Sequence, residues 1–185
     1  MRKLIIGTVL LAAVTISSGL SVAVAADQML TPLDIPTIEG VKALEIGADA
    51  PDFAIADTSR QPYKFVAKEN AASLLVFWSM FCEPCRAEMP LIQSMYQKYS
   101  PTGLKVISIA MDGGMEDSIS AFAKQEKYTF TLLVDNENLE VTDAYGIPGT
   151  PTLYIADKTG KITFSKVGRV GEEELEKALK TALGI

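Results

Sequence analysis

Two cysteines, Cys82 and Cys85, are the residues of this chain best suited to chemistry, and only Glu83 and Pro84 separate them. They are the only cysteines among 185 residues. A Cys-x-x-Cys pair at the start of a helix can close a disulfide across one turn and reopen it through a mixed disulfide with another thiol. The types and spacing of these residues therefore predict thiol–disulfide exchange.

The segments on either side of the pair supply the expected context. Residues 74–78, Leu-Leu-Val-Phe-Trp, have the composition of a buried strand, and residues 86–99 that of a helix. A strand, a short turn carrying Cys-x-x-Cys and a helix is the arrangement in which this spacing indicates redox chemistry. A static structural disulfide is the alternative, and it is disfavoured because so small a loop constrains the unfolded chain little.

The two cysteines should divide the work. Cys82 is expected at the helix N-terminus, where free N–H groups and the helix dipole favour a thiolate, so it is the predicted nucleophile. Cys85, one turn further on, is expected to be buried and protonated until it attacks the mixed disulfide and releases product. Pro84 suits a first helical turn. The negative charge of Glu83 disfavours a thiolate on Cys82. This predicts a reduction potential closer to the roughly −270 mV of thioredoxin than to the roughly −120 mV of a strong oxidant.

Two neighbouring side chains are further candidates. Glu88 lies on the same helix face as the cysteines; if it is buried, its pKa rises and it can exchange protons with the thiols. The alternative is an ordinary exposed helix acid. Phe81, directly before Cys82, is either a packing residue or an apolar lip against which a substrate docks.

A second site element is predicted at Thr150-Pro151, directly before a strand. Proline has no ladder donor, so it fits a sheet only at an edge, a start or a bend. A cis bond here would place the Thr150 backbone opposite Cys82, free to pair with a substrate strand. The sequence leaves cis or trans open, since trans is the commoner state.

The composition excludes several chemistries. The chain has no histidine, so Ser-His-Asp and Cys-His nucleophiles, a four-ligand zinc site and axial histidine ligation of haem are all excluded. We therefore expect no metal and no cofactor beyond the Cys82–Cys85 disulfide itself. The net charge of −6 argues against nucleic acid or an anionic membrane surface as a partner.

The N-terminus has the pattern of a targeting segment. Residues 1–25 combine a positively charged start, an apolar run and a small-x-small site at Ala23–Ala25, which predicts a cleaved signal peptide. The alternative is an uncleaved membrane anchor, because residues 4–25 carry no charge. Both predict an exported domain, periplasmic or on the extracytoplasmic face of the membrane. Residues 26–46 are predicted to be a flexible lead-in, and residues 47–185 a single domain.

Strands and helices alternate along that domain and end in a hairpin and a helix, which indicates an α/β sandwich with a mixed sheet. Pro90 lies inside a helical pattern and predicts a kink. The predicted strands cover 47–55, 63–65, 72–78, 104–110, 130–134, 152–155 and 162–165, and the predicted helices cover 86–99, 116–124, 139–145 and 172–183.

Residues 47–185 resemble the thioredoxin superfamily and, within it, the TlpA/ResA-like exported thiol–disulfide oxidoreductases. The resemblance rests on Ala50–Phe53, Phe77–Pro90 and Tyr145–Thr152. It implies a thioredoxin fold, with a mixed central sheet flanked by helices, an N-terminal strand or hairpin extension and a helix–strand insert. It also implies Cys82 as the nucleophile, Cys85 as the resolving thiol and a cis Pro151.

The Cys-Glu-Pro-Cys form and Glu88 are similar to the ResA-like members. This implies a reductant of protein disulfides, with apocytochrome c before haem attachment as the substrate and a membrane thiol–electron transporter as the electron source. Two positions depart from the family pattern. Phe81 replaces the usual Trp, which affects the substrate surface, and Val76 replaces the buried Asp of thioredoxin, which leaves Glu88 as the acid.

Three other activities compete with a reductant. The first is an oxidant or isomerase of the same fold, which Glu83 disfavours. The second is a chaperone that holds Cu(I) on the two thiolates. The third is a peroxidase of the peroxiredoxin type, which needs Thr-x-x-Cys where this chain has Ser79.

Overall fold

A computed structural model describes residues 41–185. The predicted signal peptide and most of the predicted lead-in lie outside the described residues. Within the described range, no helix combines the length and apolar character needed to cross a bilayer. The strands are β1 (Phe53–Ala56), β2 (Pro62–Phe65), β3 (Ala72–Trp78), β4 (Leu104–Ala110), β5 (Thr131–Val134), β6 (Thr152–Asp157) and β7 (Ile162–Val167), and the helices are α1 (Glu83–Tyr99), α2 (Glu116–Glu126), α3 (Glu140–Ala144) and α4 (Glu172–Leu183).

Five strands form one mixed sheet in the order β5-β4-β3-β6-β7. Strands β3, β4 and β5 are parallel to one another, whereas β6 is antiparallel to β3 and β7 is antiparallel to β6. The bounds predicted for β3, β4 and α4 are confirmed. Strands β3 and β4 are covered on both faces, which explains why their side chains are almost continuously apolar.

Side chains that alternate along β3 pack into two separate layers. Leu74, Val76 and Trp78 face a core that includes residues of α1, α2 and α4. Leu75 and Phe77 face the opposite core, which is closed by the β1–β2 hairpin and α3. The helix-flanked sheet, the N-terminal hairpin and the α2–β5 insert before Pro151 confirm the predicted fold class.

The predicted strand over 47–55 is wrong in extent. The strand begins only at Phe53, and it pairs with β2 as a separate two-stranded sheet. Residues 47–50 instead lie beside the β6–β7 turn, where Ala50 N–H donates to Gly160 O at 2.8 Å. Pro51 follows directly and has no N–H to continue a ladder, which gives the physical reason for the interruption.

Helix α1 begins at Glu83, three residues earlier than predicted. Cys82 Sγ accepts a hydrogen bond from Cys85 N–H at 3.2 Å and so caps the helix, while Pro84 occupies the first turn, where its missing N–H costs nothing. The helix continues through Pro90 for 17 residues. Pro90 and Arg86, the residue whose carbonyl loses its donor, are both exposed, so water can hydrogen-bond that carbonyl.

Candidate active site

Cys82 and Cys85 form a disulfide at the N-terminus of α1. Cys82 is half-buried, whereas Cys85 is only 1% exposed. The predicted difference in burial between the two sulfurs is therefore confirmed. An incoming thiol or disulfide can reach Cys82 from solvent, and it cannot reach Cys85 without a local rearrangement.

The turn at Thr150-Pro151 faces this disulfide. The Thr150–Pro151 bond is cis, as the family resemblance implied, and Cys82 Sγ lies 3.6 Å from the Thr150 carbonyl oxygen. Strand pairing causes this approach, because β3 and β6 are antiparallel neighbours with Phe77 opposite Thr152. The end of β3 and the start of β6 therefore meet at one edge of the sheet, although 68 residues separate the two site elements.

Glu88 is buried, with 2% of its surface exposed. Its Oε1 accepts a hydrogen bond from Val170 N–H at 2.6 Å, and its Oε2 has no partner among residues 41–185. Burial raises the pKa of the Glu88 carboxyl, and the Val170 N–H and the charge of Arg169 oppose that rise only in part. Cys85 lies three residues earlier on the same helix face, so the buried carboxyl and the buried sulfur are side-chain neighbours on α1.

The rim of the site consists of Phe81, Glu83 and Pro84, all of which are exposed. Phe81 is 75% exposed, unusually high for a large apolar side chain, so the packing interpretation of Phe81 is wrong for the isolated chain. Glu83 is the first residue of α1. Its charge therefore stands beside Cys82, at the helix end where a thiolate would form.

One residue that holds the loop before Cys82 was not anticipated from the sequence. Asp112 Oδ1 accepts from the Ser79 hydroxyl at 2.7 Å, and its Oδ2 accepts from Met80 N–H at 2.7 Å. Phe81 N–H in turn donates to Ser79 Oγ at 3.2 Å. The signal was present in the sequence: Asp112 follows β4 as Ser79 follows β3, and adjacent parallel strands end at the same edge.

Together these positions hold one accessible sulfur, one buried sulfur, a buried carboxyl and an open carbonyl edge. A thiolate at Cys82 can attack a disulfide bond, and Cys85 can then attack the mixed disulfide that results. The geometry brings every predicted site residue to one edge of the sheet.

The family model of the AhpC/TSA family matches residues 46–165. The chain belongs to the AhpC/TSA family. A curated relative, thiol-disulfide oxidoreductase ResA of Bacillus thuringiensis subsp. konkukian, is 31% identical over 137 residues, which cover 74% of this chain and 78% of the relative. ResA of Geobacillus thermodenitrificans is 27% identical over 139 residues, covering 75% of this chain and 79% of the relative.

A solved structure from Chlorobium tepidum, provisionally assigned as thiol:disulfide interchange protein DsbE, resembles the fold with a TM-score of 0.69. It is 31% identical and covers 77% of this chain and all of its own. These relatives, together with the Cys82–Cys85 disulfide, identify this AhpC/TSA-family protein as a thiol–disulfide oxidoreductase.

Proposed function

We propose that this protein is an exported reductant of protein disulfides. The observation that carries the proposal is the pairing of a solvent-accessible Cys82, beside the Thr150 carbonyl at 3.6 Å, with a fully buried Cys85. An extended substrate segment can hydrogen-bond to the open backbone of Thr150 while its sulfur meets Cys82. This arrangement suits a polypeptide disulfide better than a small molecule.

The reaction balances as a two-electron exchange. The Cys82 thiolate attacks one sulfur of the substrate disulfide, forms the mixed disulfide and expels a substrate thiolate, which takes up a proton. Cys85 then gives its proton to the Glu88 carboxylate and attacks Cys82 Sγ. The second substrate thiolate then leaves. Solvent protonates both substrate thiolates and receives the proton that Glu88 took from Cys85, so the substrate gains two electrons and two protons while the enzyme closes its disulfide.

Glu83 supports the reducing direction. Its carboxylate is exposed at the first position of α1, where it opposes the negative charge of a Cys82 thiolate. A less stable thiolate means a less stable reduced form, and the pair then donates electrons more readily. A membrane thiol–electron transporter is the proposed source of electrons, and apocytochrome c before haem attachment is the proposed substrate.

The peroxidase alternative lacks support from the site. Its nucleophilic cysteine would need a hydroxyl at Ser79 to aid a peroxide, and this hydroxyl already donates to Asp112 at 2.7 Å. The family name does not decide between these reactions. A peroxide turnover assay of the reduced protein separates them, because a reductant of protein disulfides gives no sustained turnover.

The first test is the reduction potential of the Cys82–Cys85 couple, obtained by equilibration against thiol buffers of known potential. A value below about −230 mV supports a reductant, and a value above about −180 mV contradicts it. Glu83→Gln should raise the potential by about 10 mV if its charge contributes roughly 0.5 kcal/mol. Glu173→Gln, which removes the same charge from the first turn of α4, should leave the potential unchanged.

The second test identifies the substrate by covalent trapping. Cys85→Ala keeps the nucleophile and removes the resolving thiol, so mixed disulfides with substrates should accumulate on Cys82. Cys82→Ala is the matched control and should trap nothing. Recovery of haem-free polypeptides that carry Cys-x-x-Cys-His would support the cytochrome proposal, and recovery of unrelated proteins alone would contradict it.

Export is proposed from residues 1–25, which lie outside the described residues. Fractionation of cells that produce the full chain should place the protein outside the cytoplasm. N-terminal sequencing then separates the two predicted forms, because cleavage would leave Ala26 first, whereas an anchor would retain Met1 or its neighbour.

A further inference from the structure

The loop between β7 and α4 contacts two elements of the site within three residues. Gly168 N–H donates to the Pro151 carbonyl at 2.8 Å, and Val170 N–H donates to Glu88 Oε1 at 2.6 Å. Gly168 adopts φ +83°, a conformation that glycine reaches without steric cost. The chain can therefore leave the edge of β7 and turn inward to the buried carboxyl in one step.

Val170 N–H is the single hydrogen-bond donor that the described residues offer to Glu88, because Oε2 remains without a partner. One donor holds the carboxyl in place and leaves its second oxygen free to take a proton. A second donor would favour the ionised carboxylate more strongly, and without the Val170 donor no hydrogen bond would orient the carboxyl. The loop thus fixes both the position of Glu88 and the oxygen that can be protonated.

Arg169 stands between these two donors, with its side chain exposed. It forms no ion pair with an acid of residues 41–185, in contrast to Lys166 near the end of β7, which pairs with Glu174 at 3.1 Å. Arg169 is the only charged side chain of the described residues that shifts the pKa of Glu88, and the charged residues Glu83 and Arg86 in the first turn of α1 are exposed. The residues that α4 buries are Leu175, Leu179 and Ala182, β3 carries no ionisable side chain, and α1 contributes the disulfide-bonded Cys85.

We propose that Gly168–Val170 is a positioning element for thiol exchange, in which Val170 orients Glu88 and the unpaired charge of Arg169, the residue directly before Val170, assists Glu88 in accepting the proton of Cys85. The inference rests on the proposed role of Glu88 as proton acceptor. Arg169 touches neither sulfur and acts only through that carboxyl. The charge of Arg169 lowers the pKa of Glu88 against the effect of burial, so removing this charge raises the pKa.

The test follows the two chemical steps separately. Reduced protein reacts with excess dithiobis(nitrobenzoate), a chromogenic aryl disulfide, in a stopped-flow instrument. The first burst of nitrothiobenzoate reports the attack by Cys82, and the second reports the attack by Cys85 on the mixed disulfide. The second step is intramolecular, so its rate does not depend on how tightly free probe binds, and the pH of its inflection rather than its absolute rate is compared between variants. We measure the second rate from pH 5 to pH 9.

In the wild-type protein the second rate should rise with pH through an inflection that belongs to Glu88. Arg169→Gln should move this inflection to higher pH by roughly half a unit, the size expected for one partly screened charge. Arg169→Lys keeps the charge and should restore the wild-type profile. Lys166→Gln removes a neighbouring charge that is already paired and should leave the inflection in place.

Glu88→Gln separates failure of this inference from failure of the proposed function. If it slows the second step about 100-fold or more and removes the inflection, Glu88 is the proton acceptor. If its profile matches the wild type, the role proposed for Glu88 is wrong. If Glu88→Gln has the expected effect and Arg169→Gln follows the wild-type curve, only the role of Arg169 is overturned. A shift caused by Arg169→Gln that persists in the Glu88→Gln background would also overturn it, since Arg169 would then act on another group.

Discussion

Asp135 and Glu88 are two buried carboxyl groups with nearly equal exposure, 1% and 2%, and they have opposite surroundings. Asp135 follows β5 and accepts four hydrogen bonds, from the N–H groups of Asn136, Val141 and Thr142 and from the Thr142 hydroxyl, at 2.7–3.2 Å. Glu88 accepts one, from Val170. Asp135 lies on the hairpin side of the sheet, and Glu88 lies on the side of the cysteines.

The difference shows how the same chemical group is fully bonded to the backbone in one place and left with an unbonded oxygen in another. Asp135 satisfies backbone donors at the start of α3, which has no side-chain cap from its own N-cap residue, Leu139. The four hydrogen bonds fix the carboxylate in place. Glu88 keeps one oxygen without a partner, and burial raises the pKa of its carboxyl.

The largest effect should come from removing the carboxyl of Asp135, which holds four hydrogen bonds. Asp135→Ala leaves at least two buried N–H groups without an acceptor, so we expect a loss of roughly 3 kcal/mol of stability. Chemical denaturation of the oxidised protein measures this loss. The reduction potential should not change, because Asp135 lies on the other side of the sheet. A loss below about 1 kcal/mol would contradict the structural role of Asp135.

A second prediction concerns the pH dependence of the folded protein's stability that Glu88 should produce. The pKa of Glu88 is raised in the folded protein, so its favourable contribution is complete at low pH and is lost as the pH rises from the unfolded pKa through the folded pKa. Glu88→Gln carries no such group. As the pH rises, its free energy of unfolding should therefore increase relative to that of the wild type by roughly 1–3 kcal/mol, the cost of an unsatisfied buried group.

Thermal unfolding of the oxidised wild-type and Glu88→Gln proteins between pH 4 and pH 8 measures that gain. A constant difference between them across this range would show that Glu88 has no raised pKa. Glu173→Gln, an exposed acid in the first turn of α4, is the control for removal of one negative charge.

The smallest effect is expected at Asp112, a half-buried carboxyl with two donors that lies between these extremes. Asp112→Asn replaces one acceptor oxygen by an NH₂ group that cannot accept from Ser79 or Met80. We expect a loss of about 1 kcal/mol of stability and a severalfold slower first burst with the aryl disulfide, because the loop that leads to Cys82 loosens.

Asp117→Asn is the matched control for Asp112→Asn, since Asp117 is exposed and its one ion-pair partner among residues 41–185 is Arg60, also exposed, at 3.0 Å. Such surface pairs contribute roughly 0–1 kcal/mol. Equal effects of the two substitutions on the first burst would show that Asp112 does not position the loop.

Much of the site could be predicted from local patterns. Cys82, Cys85 and the apolar run of β3 are close in sequence, and the chemistry of a Cys-x-x-Cys at a helix start depends on nothing distant. Thr150-Pro151 was found because proline before a strand needs a structural reason. The predicted extent of β1 is wrong. The pairing of an edge strand depends on which backbone N–H and C=O groups the rest of the fold leaves without partners, and the local sequence does not show this.

The sequence by itself predicted the redox-active cysteine pair and an α/β sandwich with a mixed sheet, because these follow from residue type, spacing and hydrophobic period. Only the tertiary structure decided that Glu88 is buried with a single donor, that Asp112 holds the loop before Cys82, and that residues 168–170 meet both Pro151 and Glu88. Burial and hydrogen-bond partners are properties of distant segments brought together, and 82 residues separate Glu88 from the N–H group that orients it.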